Sequence, residues 1–215
     1  MRLASTLLIA LATWTGGICT ALALNTDIQH GAYLRILVDS AEVRFSSWAK
    51  LITSTLFESN KVKLTRVNTF FNQRIRFAED METSGESDYW ATPMETLAAG
   101  AGDCEDFAIA KYYTLLKMSV PEKQLRLAYA RAHLGGAASS LFKSHMVLAY
   151  YDRPEAEPLI LDNLIDSVEP SSRRPDLQLI FSFNGEGIYH GSATAATQRL
   201  SRWQDLMRRA HDEGF

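Results

Sequence analysis

Gly100-Ala101-Gly102-Asp103-Cys104-Glu105-Asp106-Phe107-Ala108 reads as a tight approach into the first turn of a helix. Asp103 is a strong N-cap, and Asp106 three residues later can return the hydrogen bond as the second half of a capping box. That phasing puts Cys104 at the first helical position, where unpaired N–H groups and the helix dipole favour a thiolate. The Cys104 N–H is itself a candidate oxyanion-hole donor. The plainer reading is a helix that begins Asp-x-x-Asp with a cysteine there by accident. Asp103, Glu105 and Asp106 crowd the thiol and, left bare, would raise its pKa. A bound cation would resolve that conflict, and carboxylate oxygens suit calcium. Against calcium stand the ordinary preference for acids in a helix's first turn and a spacing that matches no EF-hand loop.

Before this segment the apolar residues recur at helical steps: Trp48, Leu51, Ile52 and Leu56, then Val62, Leu64, Val67, Phe70, Phe71 and Ile75. A break near Glu58-Ser59-Asn60-Lys61 makes two helices between Ser46 and about Arg76. Residues 79–89 are polar and predict an exposed loop. Trp90 to Leu97 predicts a short helix with Pro93 near its first turn, and the cysteine helix should run from Asp103 to about Met118 before Pro121. Beyond Pro121 the period moves towards two. Strands are expected at Leu125–Ala132, His145–Tyr151, Leu159–Asp162, Leu177–Phe183 and Gly187–His190, with Gly135–Ser140 a flexible connection. A last amphipathic helix should cover about Ala195–Arg209. Helices first and a mainly antiparallel sheet afterwards give a single α+β domain.

The chain has 215 residues, 47% hydrophobic and 22% charged, with a formal net charge of -3. That charge implies no general attraction to nucleic acid or anionic lipid, and Arg173-Arg174 and Arg208-Arg209 read as solvated surface. Residues 1–23 read as a signal peptide: an apolar run from Leu3 to Ala12, then Thr20-Ala21-Leu22-Ala23 with small residues before a cut after Ala23. An uncleaved anchor is the alternative, since Arg2 alone is a thin positive region; acylation at Cys19 fits poorly after Gly16-Gly17-Ile18. Residues 24–215 are then the mature, exported domain. Of the two cysteines, Cys19 leaves with the signal peptide, so Cys104 remains as a lone thiol in an oxidising compartment.

A cysteine nucleophile needs a base, and five histidines are available. His30 and His211 read as surface residues near the ends of the mature chain, and His133 and His190 as strand-end residues. His145 opens the strand His145-Met146-Val147-Leu148-Ala149-Tyr150-Tyr151, and the next strand, Leu159-Ile160-Leu161-Asp162-Asn163, ends on an acid. A hairpin turning near Arg153-Pro154 would set His145 and Asp162 opposite each other on one face. A carboxylate there can hold one imidazole nitrogen and aim the other at the thiol. The commoner role for Asp162 would be to end a strand.

Trp90 and Leu97, Gly102-Asp103-Cys104-Glu105-Asp106, Ser144-His145-Met146-Val147-Leu148 and Leu161-Asp162-Asn163 together resemble the bacterial transglutaminase-like cysteine proteinases of the LapG type. The resemblance spans nearly all of the mature chain. It implies a transglutaminase-like (papain-like) α+β fold with Cys104, His145 and Asp162 as a catalytic triad. It also implies calcium, held by Asp103 and Glu105 with Asp106 as helper, and a part for Trp90 in the oxyanion hole, though a core role suits that residue equally. The activity implied is a periplasmic endopeptidase that cuts a large surface adhesin near its N-terminus, at a paired-alanine site, and promotes biofilm dispersal. An inner-membrane cyclic-di-GMP receptor is the implied inhibitor. A transglutaminase-like acyltransferase that cross-links proteins, or a non-catalytic binding module, are the other functions such a chain could serve.

Overall fold

The helical repeats between Ser46 and Arg76 form two helices, α1 (residues 40–55) and α2 (Asn60–Arg74), broken at residues 56–59. The computed structural model describes residues 40–134, 140–189 and 193–215, and of residues 193–200 the backbone alone. The expected signal segment with its cut after Ala23, His30, residues 135–139 of the glycine-rich connection, and His190 lie outside the described residues. The chain divides into two units, Met1–Val43 and Arg44–Phe215, and every element from α2 onward belongs to the second. Among the described residues no helix is long and apolar enough to cross a membrane.

After α2 come the two-residue strand β1 (Arg76–Phe77), the short helix α3 (Asp80–Thr83) and α4 (Pro93–Ala99). The polar stretch 79–89 is largely exposed as expected, but it contains the turn of α3 and is wound around one buried residue, Asp80. The Asp80 carbonyl accepts from Ser84 and Gly85, its Oδ2 accepts from the Tyr89 N–H at 2.7 Å, and its side chain is buried. α4 starts as its sequence dictates, with Thr92 and Glu95 forming a capping box and Pro93 at the first helical position. Its end depends on Gly100 at φ 66°, whose missing Cβ leaves room for Arg44. The Arg44 guanidinium donates to the Leu97 and Ala98 carbonyls at 2.6 and 2.7 Å, closing the last turn.

Next come β2 (Ala101–Gly102), parallel to β1, and then α5 (Cys104–Lys117). Six antiparallel strands make the main sheet: β3 (Leu125–His133), β4 (Phe142–Tyr150), β5 (Leu159–Leu161), β6 (Glu169–Pro170), β7 (Leu177–Asn184) and β8 (Gly187–Tyr189), in the order β6-β5-β4-β3-β7-β8. β4 starts three residues earlier than its apolar run, because Phe142, Lys143 and Ser144 pair with β3 while remaining exposed. α6 (Ala193–Asp212) completes the chain, its Trp203 packed on Tyr112 and Phe183. One buried cluster joins Phe71, Leu97, Ile109 and Leu115 of the helices to Leu127, Met146, Leu148 and Phe183 of the sheet. The opposite sheet face carries a smaller cluster of Ala128, Val147, Ala149 and Ile160.

β4 is paired unevenly. β3 accompanies its whole length, whereas β5 meets only Leu148, Ala149 and Tyr150. Among the described residues, no strand lies against the first half of β4 on its β5 side.

Gly102 is the tightest point of the approach to α5. A Cβ there would stand 2.7 Å from both Cβ and Oδ2 of Asp106. Gly102→Ala is expected to cost about 1 to 3 kcal/mol by overpacking, read as a lower urea midpoint at unchanged slope.

Candidate functional site

The start of α5 has the double cap that its sequence spells. Asp103 Oδ1 accepts from the Glu105 and Asp106 N–H groups at 3.1 and 3.5 Å, and the Asp103 N–H donates to Asp106 Oδ2 at 3.2 Å. The Phe107 N–H donates to the Asp103 carbonyl at 3.1 Å. These bonds claim every N–H around the turn except that of Cys104, which is left pointing out of the helix end. Cys104 is half-buried, and its thiol donates to Glu105 Oε2 at 2.6 Å. Burial, the Glu105 charge and hydrogen bond, and the Asp103 charge together push the thiol pKa far up, while a hydrogen bond from the Met146 N–H works the other way. Burial and the Glu105 carboxylate thus oppose the preference of a helix start for a thiolate.

That Met146 N–H also locates the thiol, at the unpaired side of β4 and next to His145. His145 and Asp162 are both buried, and the His145 Nε2 lies 2.7 Å from Asp162 Oδ1. His145 stands two residues before Val147 in β4, and Asp162 two residues after Ile160, just past the end of β5, so the two have matching parity. They are not directly opposite, as the simplest hairpin predicts. Leu148 pairs with Leu161, so the register carried one step on sets Asp162 across from Val147, and His145 reaches it on the diagonal. The turn is centred one residue further along the chain than Arg153-Pro154, which shifts the pairing register by two, and parity survives a shift of two.

Asp162 has a second partner that sequence reading missed. Arg174 is only 4% exposed, and its Nη2 donates to Asp162 Oδ2 at 2.7 Å. Asp176 holds the same guanidinium through Nε at 3.0 Å and Nη2 at 2.7 Å. Arg174 is therefore buried beneath the site and not solvated surface as Arg173-Arg174 had suggested; Pro170 and the turn Ser171–Arg173 carry it there from the sheet edge. Burial by itself would raise the Asp162 pKa, but the hydrogen bond and charge of His145, the Leu164 N–H and Arg174 outweigh it and hold the carboxyl at about 2. An ionised Asp162 only accepts, so the His145 Nε2 must carry the hydrogen. Nδ1 is then the imidazole nitrogen left able to accept a proton.

The acidic cluster is larger than its sequence run. Ligand oxygens of Asp80, Asp103 and Asp106 lie within 4.8 Å of one another, and those of Asp103 and Glu105 lie within 4.8 Å of the Cys104 sulfur. Asp106 spends one oxygen on the Ala91 N–H and the other on Asp103. The Asp80 Oδ1, in contrast, is buried without a partner, and the hydrogen bonds to Asp103 fall on Oδ1. Burial, then repulsion from Glu105, Asp106 and Asp80, raises the Asp103 pKa to about 9; burial raises Asp106 to about 7. Buried, mutually repelling oxygens with one orphan among them suit a hard divalent cation, and Asp80, Asp103 and Glu105 are the residues with oxygens to give. Asp80 escapes sequence reading because it lies 23 positions before Asp103 in a stretch without periodicity.

Trp90 is 2% exposed and stacks on Phe183, ring centroids 6.0 Å apart at 17°. Its indole N–H is buried with no partner among the described residues, and its carbonyl accepts from Arg209 Nη2 at 2.7 Å. Arg209, also expected as plain surface, reaches Glu95 and Asp205 as well and ties α6 to the start of α4.

The family model for bacterial transglutaminase-like cysteine proteinase (BTLCP) matches residues 40–176. Among solved structures, LapG of Legionella pneumophila is 43% identical, with a TM-score of 0.67 over 79% of this chain and 89% of that one. The same protein in a calcium-bound form is 41% identical, with a TM-score of 0.67 over 79% of this chain and 91% of that one. Its EGTA-treated form, also 41% identical, has a TM-score of 0.66 over 79% and 89%. No curated protein matches the chain.

Arg174→Met leaves a buried carboxylate short of its cation and is expected to cost about 3 to 5 kcal/mol in urea unfolding at pH 7. Because the folded Asp162 pKa of about 2 lies below the unfolded value of about 3.9, its contribution is present above pH ~4 and lost as pH falls through ~2. Arg174→Met should therefore begin acid unfolding at a higher pH. Asp103 has the opposite sign. With a folded pKa of about 9, its contribution is full below pH ~4 and lost as pH rises through ~9. Asparagine caps a helix as well as aspartate does. In chelator, Asp103→Asn should gain melting temperature relative to the unsubstituted protein between pH 5 and pH 9.

Proposed function

The chain belongs to the bacterial transglutaminase-like cysteine proteinases, and from that membership we propose that it is an exported, calcium-dependent cysteine endopeptidase with Cys104, His145 and Asp162 as its triad. The observation that carries this reading is the buried His145–Asp162 pair, 2.7 Å apart and backed by Arg174, beside a thiol at a helix start. Cysteine-protease chemistry needs those parts: a nucleophile near unpaired N–H groups, a base, and a polar group that orients the base.

In the reaction, His145 Nδ1 takes the Cys104 proton, and the thiolate attacks the carbonyl carbon of the scissile peptide. The oxyanion that forms faces the unclaimed Cys104 N–H, with the unpartnered Trp90 indole N–H as the second donor to be tested. The imidazolium gives its proton to the departing amine, leaving a thioester. Water, deprotonated by the same nitrogen, releases the acid and restores the thiol. Throughout, Asp162 keeps the imidazole in one tautomer and stabilises its charged form, and Arg174 keeps Asp162 ionised.

Burial and the Glu105 carboxylate favour the protonated thiol, so the site needs positive charge near the sulfur. Calcium, held by Asp80, Asp103 and Glu105, would supply that charge and draw Glu105 away from the sulfur. The calcium-bound relative supports calcium as the cation, and the ligand set is read from the acidic cluster of this chain. For the biological setting we propose a periplasmic location, a large surface adhesin cut near its N-terminus at a paired-alanine site, and release of cells from a biofilm. An inner-membrane cyclic-di-GMP receptor would be the inhibitor. One observation favours a second reading: a thiol held by Glu105 suits a binding module that has lost catalysis.

The test incubates the protein with N-terminal adhesin fragments in calcium, in chelator, and with Cys104→Ala, and follows Cys104 alkylation in parallel. A single cut is expected in calcium alone, absent with Cys104→Ala, with alkylation at pH 7 faster in calcium than in chelator. Isopeptide products would replace hydrolysis with cross-linking. No product, together with a thiol inert in both conditions, would leave the binding module.

A further inference from the structure

α5 carries a second buried functional group two turns beyond its cysteine. From Asp106 to Leu115 every residue of the helix is buried, and Lys111 is fully so. A lysine in such a place must be partnered. Its ammonium donates to Asn68 Oδ1 and Asn72 Oδ1, each at 2.8 Å. These asparagines stand one turn apart on α2 and present one face.

An ammonium has donors and no acceptor, so both amides must turn their oxygens towards it and their NH2 groups away. The NH2 groups meet the chain that follows β5. Asn72 Nδ2 donates to the Asp162 carbonyl at 2.9 Å, the Ile165 carbonyl at 3.0 Å and Asp166 Oδ1 at 3.3 Å. Asn68 Nδ2 donates to the carbonyls of Ile165 at 3.2 Å and Asp166 at 3.0 Å. Burial draws the Lys111 pKa down to about 7, and the charges of Asp162 and Asp166 oppose the fall.

We propose that Lys111 is a positioning residue for the His145–Asp162 pair: it sets the direction of the Asn68 and Asn72 amides, which then hold the Asp162–Asp166 backbone and keep the carboxylate on His145. This rests on the endopeptidase reading for its catalytic consequence. Without the ammonium, either amide can rotate its oxygen towards the loop carbonyls, where oxygen faces oxygen. The backbone of Asp162 is then released, although Arg174 still holds its side chain. The nucleophile helix and the acid loop are thus joined through α2 by donors that point one way only.

Lys111→Met keeps most of the side-chain length and removes the donors. The control is Leu116→Ala, which loosens a half-buried position of the same helix outside this network. Steady-state cleavage is measured together with the low-field proton NMR signal of the His145 ring N–H bonded to Asp162. Lys111→Met is expected to lower kcat by about tenfold or more, as misplacement of a catalytic group does, with KM within about twofold. Its ring N–H signal should broaden or move upfield, while Leu116→Ala keeps both signal and kcat. Unchanged kcat and signal in Lys111→Met would overturn the proposal, as would equal losses in Leu116→Ala. Should Lys111→Met not fold, Asn72→Ala removes one arm of the same relay and is expected to show a smaller loss of the same kind; an unaltered signal there would be equally decisive against it. The signal needs no substrate, so a protein that cleaves nothing would defeat the endopeptidase reading and leave the role of Lys111 to be judged by NMR.

Discussion

The reciprocal cap between Asp103 and Asp106 sets where α5 begins, and nearly all of the site is measured from that point. Moved by one residue, the cysteine would turn about 100° around the helix and leave the unpaired side of β4. The cap also consumes the N–H groups of its neighbours, so that the Cys104 N–H alone stays available at the helix end. Gly102 must lack a side chain because Asp106 folds back into that space, and Ala91 is drawn in by the other Asp106 oxygen. One pair of short acidic side chains therefore fixes the phase of the helix, the approach of the preceding strand and the start of the Trp90 segment.

The same acids create the electrostatic problem of the site. A helix end contributes about half a positive charge, and the Glu105 carboxylate hydrogen-bonded to the sulfur outweighs it. Asp80 adds to the excess from a distant part of the chain. The other half of the site is balanced within itself: His145, Asp162, Arg174 and Asp176 alternate acceptor and donor, and no carboxylate there lacks a partner. A thiol side in deficit of positive charge, and a base side whose carboxylates are already paired, make activity conditional on what the acidic cluster holds.

How much of this could be read beforehand follows from the range of the interactions. The start of α5, the Thr92–Glu95 cap of α4 and the two helices before it rest on neighbours within four positions, and their sequence patterns name them. The strands bearing His145 and Asp162 were legible from their apolar runs, and the two residues share a face because parity tolerates a shift of two. Their diagonal offset was not legible, since the turn between β4 and β5 has no periodic signal. Asp80, Arg174 and Arg209 were missed for a common reason: each acts through partners far away in sequence, and each sits among polar residues that imitate ordinary surface. Lys111 did leave a trace, as a lone charge between Phe107 and Leu116 in an otherwise apolar run, which is how a buried and partnered lysine looks.

The half-paired strand β4 bears on which polypeptides could reach the sulfur. Along its bare side the backbone groups of Phe142 and Ser144 face the same way as the Met146 N–H that meets Cys104, because alternate residues of a strand point alike. A chain laid there in extended form can satisfy those groups and its own at once. A segment already committed to a helix, or to the middle of a sheet, has no backbone donors or acceptors left to offer. On the endopeptidase reading proposed above, such an edge would discriminate by conformation before any side chain is read, sparing a tightly folded domain and admitting a loose linker beside it.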